Sequence, residues 1–212
     1  PRKNDAILIH SVAGGVGSML AQLGKICNLK VIGVVGSSHK VDYAYKELHC
    51  DLVIDKSVDD LWLEARKGCP NGYNAIFDAS GYKTLREGYN HLAPGGRLVV
   101  YGFHSMLPKV GGRLNLCAWL KIIYGYIQTP TFNPLDMTNV NRALMCFNLS
   151  FMFNRADILH EAMGQLIHYI KNGELKVPKV TVFPMSRVGA AHKFIESGLS
   201  TGKLVLNTKQ IV

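Results

Sequence analysis

Residues 6–28 read AILIHSVAGGVGSMLAQLGKICN, and this stretch decides the fold. Ala6-Ile7-Leu8-Ile9 is an unbroken apolar run, the pattern of a parallel strand buried on both faces. A turn of small residues follows, from Ser11 through Gly14 and Gly15 to Gly17. Val16, Leu20, Leu23, Ile26 and Cys27 then recur at helical spacing. Strand, glycine turn and helix in this order are how doubly wound proteins hold a dinucleotide. Side chains must be small where the backbone passes a pyrophosphate, and the helix start offers N–H groups and the positive end of its dipole. The G-x-G-x-x-G pattern is only partly met, since Gly14 and Gly17 alone keep its spacing. A glycine turn without a ligand is the competing reading.

Working outward, similar units repeat. Lys30–Val35, Asp51–Asp55, Asn74–Asp78 and Arg97–Tyr101 read as further strands. Helical patterns separate them, ending near Leu48, at Asp59–Lys67 and at Tyr82–Leu92, and Pro94-Gly95-Gly96 reads as a tight turn. The order βαβαβαβαβ predicts an α/β fold, a doubly wound parallel sheet of the Rossmann NAD(P)-binding type. Beyond Gly102 the pattern is loop-like to Arg113. Helices are expected at Leu114–Ile123 and Met137–Leu149, and a long one capped by Asn154 or Asp157 and ending at Asn172-Gly173. A strand at Lys179–Phe183, a helix at Met185–Ser197 capped by Ser186 and a strand at Lys203–Leu206 complete the chain.

The composition agrees with a globular protein. The chain has 212 residues, 48% apolar and 18% charged, enough for a full core. Its net charge of +9 is carried by lysines and arginines scattered almost singly, which disfavours a nucleic-acid arm and suits an anionic ligand. The densest apolar run, Leu114 to Ile127, is too short for a membrane span and contains Lys121. Five cysteines at 27, 50, 69, 117 and 146 include no C-x-x-C pair, which favours reduced structural thiols and a cytoplasmic protein without signal peptide. The chain opens on Pro-Arg-Lys-Asn-Asp with no initiator Met, as a fragment would.

The end of the second strand bears on cofactor choice. NAD-selective dinucleotide folds place Asp or Glu there to bind the ribose 2′-OH. Here stand Gly36, Ser37 and Ser38, then Lys40, with no carboxylate before Asp42. Hydroxyls and a cation without an acid suit a 2′-phosphate, so NADPH is expected over NADH. A serine acting as a helix N-cap is compatible with this.

The run Ile9-His10-Ser11-Val12-Ala13-Gly14-Gly15-Val16-Gly17 resembles the HxAAGGVG stretch of zinc-independent medium-chain dehydrogenase/reductases, the group of quinone oxidoreductases, zeta-crystallins and VAT-1 relatives. The likeness continues through VVGSSHK, LVIDK, FDASG, LAPGGRLVVYG, RLNL, CFNLSFM and TGKLVL. It implies backbone contacts to the pyrophosphate around Ala13, Gly14, Gly15 and Val16, and a 2′-phosphate held by Gly36, Ser37 and Lys40. Lys56 stands where many relatives have a Tyr that reaches this phosphate. Ser80 would lie under the cofactor, and Tyr101, Gly102 and Phe103 end the fifth strand beside it. Phe147 and Leu149 match a segment whose backbone meets the nicotinamide, although core packing on a helix explains them equally. Lys203 matches a residue near the cofactor.

The resemblance further implies a Rossmann domain over residues 1–150. Residues 151–212 would then be helices and strands of the same fold, returning toward an absent GroES-like catalytic domain. The implied activity is hydride transfer from NADPH to a quinone or enone, with no general acid nameable and the fragment alone expected to be inactive. The alternative is a non-catalytic NADPH-binding sensor or scaffold. No metal is expected, because no ligand spacing suits one and His160-Glu161 lacks the second His of H-E-x-x-H. A homodimer is expected through a sheet edge, with Leu120–Ile127 as the candidate edge strand; a buried helix of the monomer is the competing reading of that segment.

Overall fold

The structure, a computed structural model, describes residues 2–104 and 116–209. Six parallel strands, β1 (Ala6–Ile9), β2 (Lys30–Val35), β3 (Leu52–Asp55), β4 (Tyr73–Asp78), β5 (Leu92–Val100) and β6 (Ala143–Cys146), form one sheet in the order β3-β2-β1-β4-β5-β6. The chain winds outward from β1 in one direction, then crosses back and winds outward from β4 in the other. The order therefore reverses between β1 and β4, where doubly wound sheets open a crevice beyond the carboxyl ends of their strands.

Helices cover both faces, which is why the strands are apolar throughout. On one face Ile7, Ile9, Val31, Val35 and Val53 pack with Ala21 of α1 (Gly15–Ile26) and with Ala44 of α2 (Val41–Lys46). On the other, Leu8, Ile32, Val34, Ile54, Ile76 and Leu98 pack with Ala65 of α3 (Leu61–Gly68) and with Leu85 and Tyr89 of α4 (Tyr82–Asn90). Burying each Leu, Ile or Val contributes about 2 kcal/mol. Asp60 caps α3 by accepting from the N–H groups of Trp62 and Leu63, both at 3.0 Å.

Several expectations are corrected. Pro94-Gly95-Gly96 is not a turn before the fifth strand. It lies within β5, which begins at Leu92 and absorbs the extra residues as a bulge, since Tyr73 pairs with Leu92 and Ala75 with Arg97. The predicted helix Met137–Leu149 is instead α6 (Pro134–Val140) followed by β6. Asn133 starts α6 and Asn141, left-handed at φ 53°, stops it. The freed residues then pair with β5 from Arg97–Ala143 to Val100–Cys146, so the sheet has six strands rather than five.

Leu120–Ile127 is not an edge strand but the body of α5 (Leu116–Ile127); the sheet edges are β3 and β6. The expected start of that helix at 114, and most of the RLNL segment, fall on residues 113–115, outside the described residues. The long helix α7 (Ala156–Lys171) ends before Gly173 as expected, but Arg155 occupies its N-cap position without a side-chain cap. Asp157 receives the Arg155 guanidinium instead, at 3.0 and 2.8 Å. Likewise Arg187, not Ser186, precedes α8 (Val188–Glu196).

Beyond the main sheet, β7 (Val180–Pro184) and β8 (Lys203–Asn207) form a separate parallel pair with α8 between them. A groove of about 620 Å³ runs along the sheet face beside α1, from Asp5 and Asn74 at the amino ends of the strands to Phe77 and Val99, with Leu20 and Leu23 of α1 as its other wall. No helix among the described residues is long and apolar enough to cross a membrane.

Tyr73 is fully buried and its hydroxyl donates to the Ala65 carbonyl at 2.7 Å, tying β4 to α3. That carbonyl also accepts from the Cys69 N–H, so it keeps a partner if the hydroxyl is removed. Tyr73→Phe is expected to lower the unfolding free energy by about 1 kcal/mol in urea titration. An unchanged midpoint would show that the bond contributes nothing.

Candidate dinucleotide-binding site

The turn from β1 into α1 is bounded by its own backbone. A Cβ on Gly17 would stand 2.5 Å from the Ser11 carbonyl oxygen and 2.7 Å from Val12 Cα, so no side chain fits there. Gly14 occupies the N-cap of α1 without a side-chain cap, and the first turn carries no acidic residue. The positive end of the helix is thus left for an external anion.

The C-terminal part of the chain is fastened to this turn. The Gly202 N–H donates to the Ala13 carbonyl at 2.9 Å, and Gly14 pairs with Gly202 as an isolated bridge. The adjacent Lys203 lies across the turn: a Cβ on Gly15 would meet its Cε at 2.5 Å and its Nζ at 2.9 Å. The structure therefore brings together Ala13, Gly14, Gly15 and Lys203, while Val16 stands exposed on the first turn of α1.

The second cluster lies at the end of β2. Gly36 and Ser37 lead into a short 3-10 turn, Ser38–Lys40, and Lys56 reaches back from the end of β3, with its Cε 3.6 Å from where a Gly36 Cβ would be. Lys40 donates from Nζ to the Gly198 carbonyl at 2.5 Å, and burial lowers its pKa. Ser37 sits at the N-cap position of the turn but makes no cap bond. Ser38 donates its hydroxyl to Asp55 at 2.5 Å.

Asp55 is a residue that the sequence reading missed, an acid brought into this corner from β3. It is buried, and it is consumed by donors: Oδ1 accepts from the Ser57 N–H and hydroxyl at 2.9 and 2.6 Å, Oδ2 from Ser38. Burial opposes its charge, but the hydrogen bonds from Ser38 and Ser57 hold its pKa below the usual carboxylate range.

The remaining candidates line the carboxyl ends of β4, β5 and β6. Asp78 organises the first of these. Its Oδ1 accepts from the Ser80 and Gly81 N–H groups at 2.6 and 3.1 Å, and its Oδ2 from the Thr84 hydroxyl at 2.5 Å. Ser80 is buried, and its hydroxyl has no partner among the described residues. Tyr101 donates its N–H to the Asp78 carbonyl, and burial, together with the Asp78 charge, pushes its phenol up to about 12. Gly102 packs on Ala79, and Phe103 is exposed beyond it. Phe147 and Leu149 are not core residues of a helix. They follow β6 and are about half exposed, and the Phe147 N–H donates to the Val100 carbonyl at 2.9 Å.

His10 is the second missed residue. It follows β1 and is fully buried, and among the described residues neither ring nitrogen has a hydrogen-bond partner. Its Nε2 lies 3.8 Å from Asp78 Oδ2 and its ring meets Trp62 edge-on at 5.8 Å. Burial pushes its pKa down to about 4, Asp78 opposes this, and Lys56 and His104 reinforce it. The imidazole is therefore neutral near pH 7 and serves as packing beneath the site.

Among the described residues no three His, Cys, Asp or Glu side chains come together to hold a metal. Cys27, Cys50, Cys69 and Cys146 are free thiols, and burial pushes Cys50 up to about 12, far from a reactive thiolate.

Sheet order, glycine turn and flanking lysines define a Rossmann-type dinucleotide-binding domain. The chain belongs to the zinc-binding dehydrogenase family, whose model matches residues 48–206, and within it to the medium-chain dehydrogenase/reductases that include the quinone oxidoreductases and VAT-1 homologues. It is 30% identical over 210 residues to the synaptic vesicle membrane protein VAT-1 homolog of Danio rerio, covering 98% of this chain and 42% of that protein. Its fold superposes on a quinone oxidoreductase of Pseudomonas syringae with TM-score 0.74 at 25% identity, covering 97% of this chain and 57% of that one. It also superposes on Escherichia coli quinone oxidoreductase, solved in complex with NADPH, with TM-score 0.71 at 23% identity and the same coverages. The chain spans about half the length of the curated relatives it matches.

Two outcomes follow from this geometry. Gly17→Ala forces a Cβ against fixed backbone, so thermal unfolding should show a loss of about 2 kcal/mol; an unchanged melting temperature would mean that the turn is not closed as described. Burial pushes the His10 imidazole down from the ordinary 6.5 to about 4 in the folded chain, so its contribution is fully present above pH 6.5 and is lost as pH falls toward 4. The loss should be on the order of 3 kcal/mol. Urea titrations from pH 7 to 4 should show this slope and His10→Gln should flatten it; the same slope in the variant would contradict the assignment.

Proposed function

We propose that this chain is the NADPH-binding part of an oxidoreductase of the quinone-reductase type, transferring hydride to a quinone or activated alkene. The observation that carries the reading is the pairing of Lys203 across Gly15 with the uncapped start of α1, beside Lys40 and Lys56 at the end of β2. Cations at both ends of one crevice match a ligand with a pyrophosphate and a second phosphate. The NADPH complex of the Escherichia coli relative supports the choice of cofactor.

In this reading the backbone amides of Ala13, Gly14, Gly15 and Val16 and the Lys203 ammonium hold the pyrophosphate. Gly36, Ser37, Lys40 and Lys56 receive the 2′-phosphate. Ser80, Tyr101, Gly102 and Phe103 flank the nicotinamide half, and the backbone at Phe147 and Leu149 orients its amide. NADPH supplies the hydride; the protein orients it and keeps water away. Residues 1–150 are then the cofactor domain, and residues 151–212 return toward the half of the relatives' fold that this chain does not span. Without that second wall, substrate positioning and exclusion of water are lost, so the chain alone should bind NADPH and turn over little quinone.

The competing reading is a non-catalytic NADPH-binding sensor or scaffold. Reduction of 1,2-naphthoquinone by the full-length protein, followed by NADPH absorbance, separates the two. A homodimer joined at a sheet edge would use β6, whose Met145 and Cys146 are exposed. Sedimentation showing only monomer at high concentration would reject it.

NADPH should bind at least about tenfold more tightly than NADH, roughly 1.4 kcal/mol. Lys40→Glu should erase most of that preference in calorimetric titration. Equal affinities in the unsubstituted chain would overturn the assignment of the phosphate corner.

A further inference from the structure

The segment between α8 and β8 crosses the site as a strap. It begins at Gly198, which follows the Ser197 C-cap of α8 and turns left-handed at φ 70°. The Gly198 N–H returns to the Ile195 carbonyl at 3.0 Å, and the Leu199 N–H takes the Ser197 hydroxyl at 3.2 Å. This is a glycine-stopped helix end, and its left-handed residue sets the direction in which the next carbonyls point. Those carbonyls meet the phosphate corner: Gly198 accepts from Lys40 Nζ, and Leu199 lies 3.0 Å from His39 Nε2. The strap then reaches the glycine turn through Gly202 and delivers Lys203.

We infer that Gly198 is a specificity-determining position for the cofactor, acting through Lys40 as a positioning residue. Its left-handed turn aims the strap carbonyls so that the Lys40 ammonium is held at the corner. This rests on the proposed reading of that corner as the seat of a 2′-phosphate. An ammonium has three donors, and the Gly198 carbonyl uses one, leaving two for phosphate oxygens. A carbonyl also carries no charge, so it fixes the lysine without cancelling it, as a carboxylate partner would. The buried acid of this corner, Asp55, is occupied by Ser38 and Ser57. A lysine held in place loses less freedom on binding, and only a cofactor bearing the 2′-phosphate gains from it.

Substitution at this position isolates the backbone effect. Among the described residues no atom lies within 4 Å of a Cβ built on Gly198, so a new side chain acts there through the strain of positive φ. Asn tolerates that conformation, Ala less well, and a β-branched Val least. The experiment measures the NADPH-to-NADH affinity ratio by calorimetry in the unsubstituted chain, in Gly198→Asn, Gly198→Ala and Gly198→Val, and in each with Lys40→Ala. Circular dichroism checks folding.

Gly198→Asn should keep the ratio, Gly198→Val should lower it about fivefold, and Gly198→Ala should fall between. In the Lys40→Ala background the three should no longer differ. A folded Gly198→Val with the full ratio overturns the inference, as does an equal drop with Lys40 absent. If Gly198→Val does not fold, the comparison of Ala with Asn decides, and equal ratios there overturn it. An unsubstituted chain with no preference overturns the phosphate corner and this inference together, whereas a preference indifferent to position 198 overturns this inference alone.

Discussion

The turn between β1 and α1 admits no side chain at Gly17, and the rest of the molecule is arranged around that constraint. Gly17 is closed in by the Ser11 carbonyl and the Val12 backbone, and the flexible end of Lys203 lies against Gly15. Because β1 lies at the reversal of strand order, the turn faces the crevice between the two halves of the sheet. Burial of β1 on both faces fixes its position, so the start of α1 is aimed without any cap of its own. The C-terminal strap adds a second constraint by bonding Gly202 to Ala13. Residues from opposite ends of the chain thus build one surface.

Charge around this surface is divided by role. Acids brought to the strand ends are spent on structure: Asp78 gathers the Ser80, Gly81 and Thr84 donors, and Asp55 gathers Ser38 and Ser57. The cations are treated differently. Lys40 is held by a neutral carbonyl, and Lys203 lies over a glycine. His10, buried beneath them, stays neutral because charging it would require burying a cation near Lys56. The crevice therefore keeps its positive field while its floor carries no uncompensated charge.

The parts of the fold legible in the sequence were those where one local pattern had one meaning. Strands β1 to β4 are apolar runs between turn residues, and the glycine turn follows the first of them. The residues Ala143–Cys146 were not legible as a strand, because ALMC is as good a helix as a strand and only pairing with β5 decides. The run LKIIYGYI misled in the other direction, since its aromatic and β-branched residues suit a strand while the chain makes α5 of it. At the site, the turn glycines and the serine–lysine corner could be read locally. Lys203 was legible only through family resemblance, and Asp55 not at all, because its relation to Ser38 is made by strand order rather than by spacing.

The most direct measurement is amide NMR of isotopically labelled chain titrated with NADPH. The account predicts that shifts concentrate at Gly14–Val16, Gly36–Lys40 and Gly202–Lys203, three segments far apart in sequence that line one crevice. Shifts confined instead to Leu20, Leu23, Phe77 and Val99, around the groove on the sheet face beside α1, would contradict it.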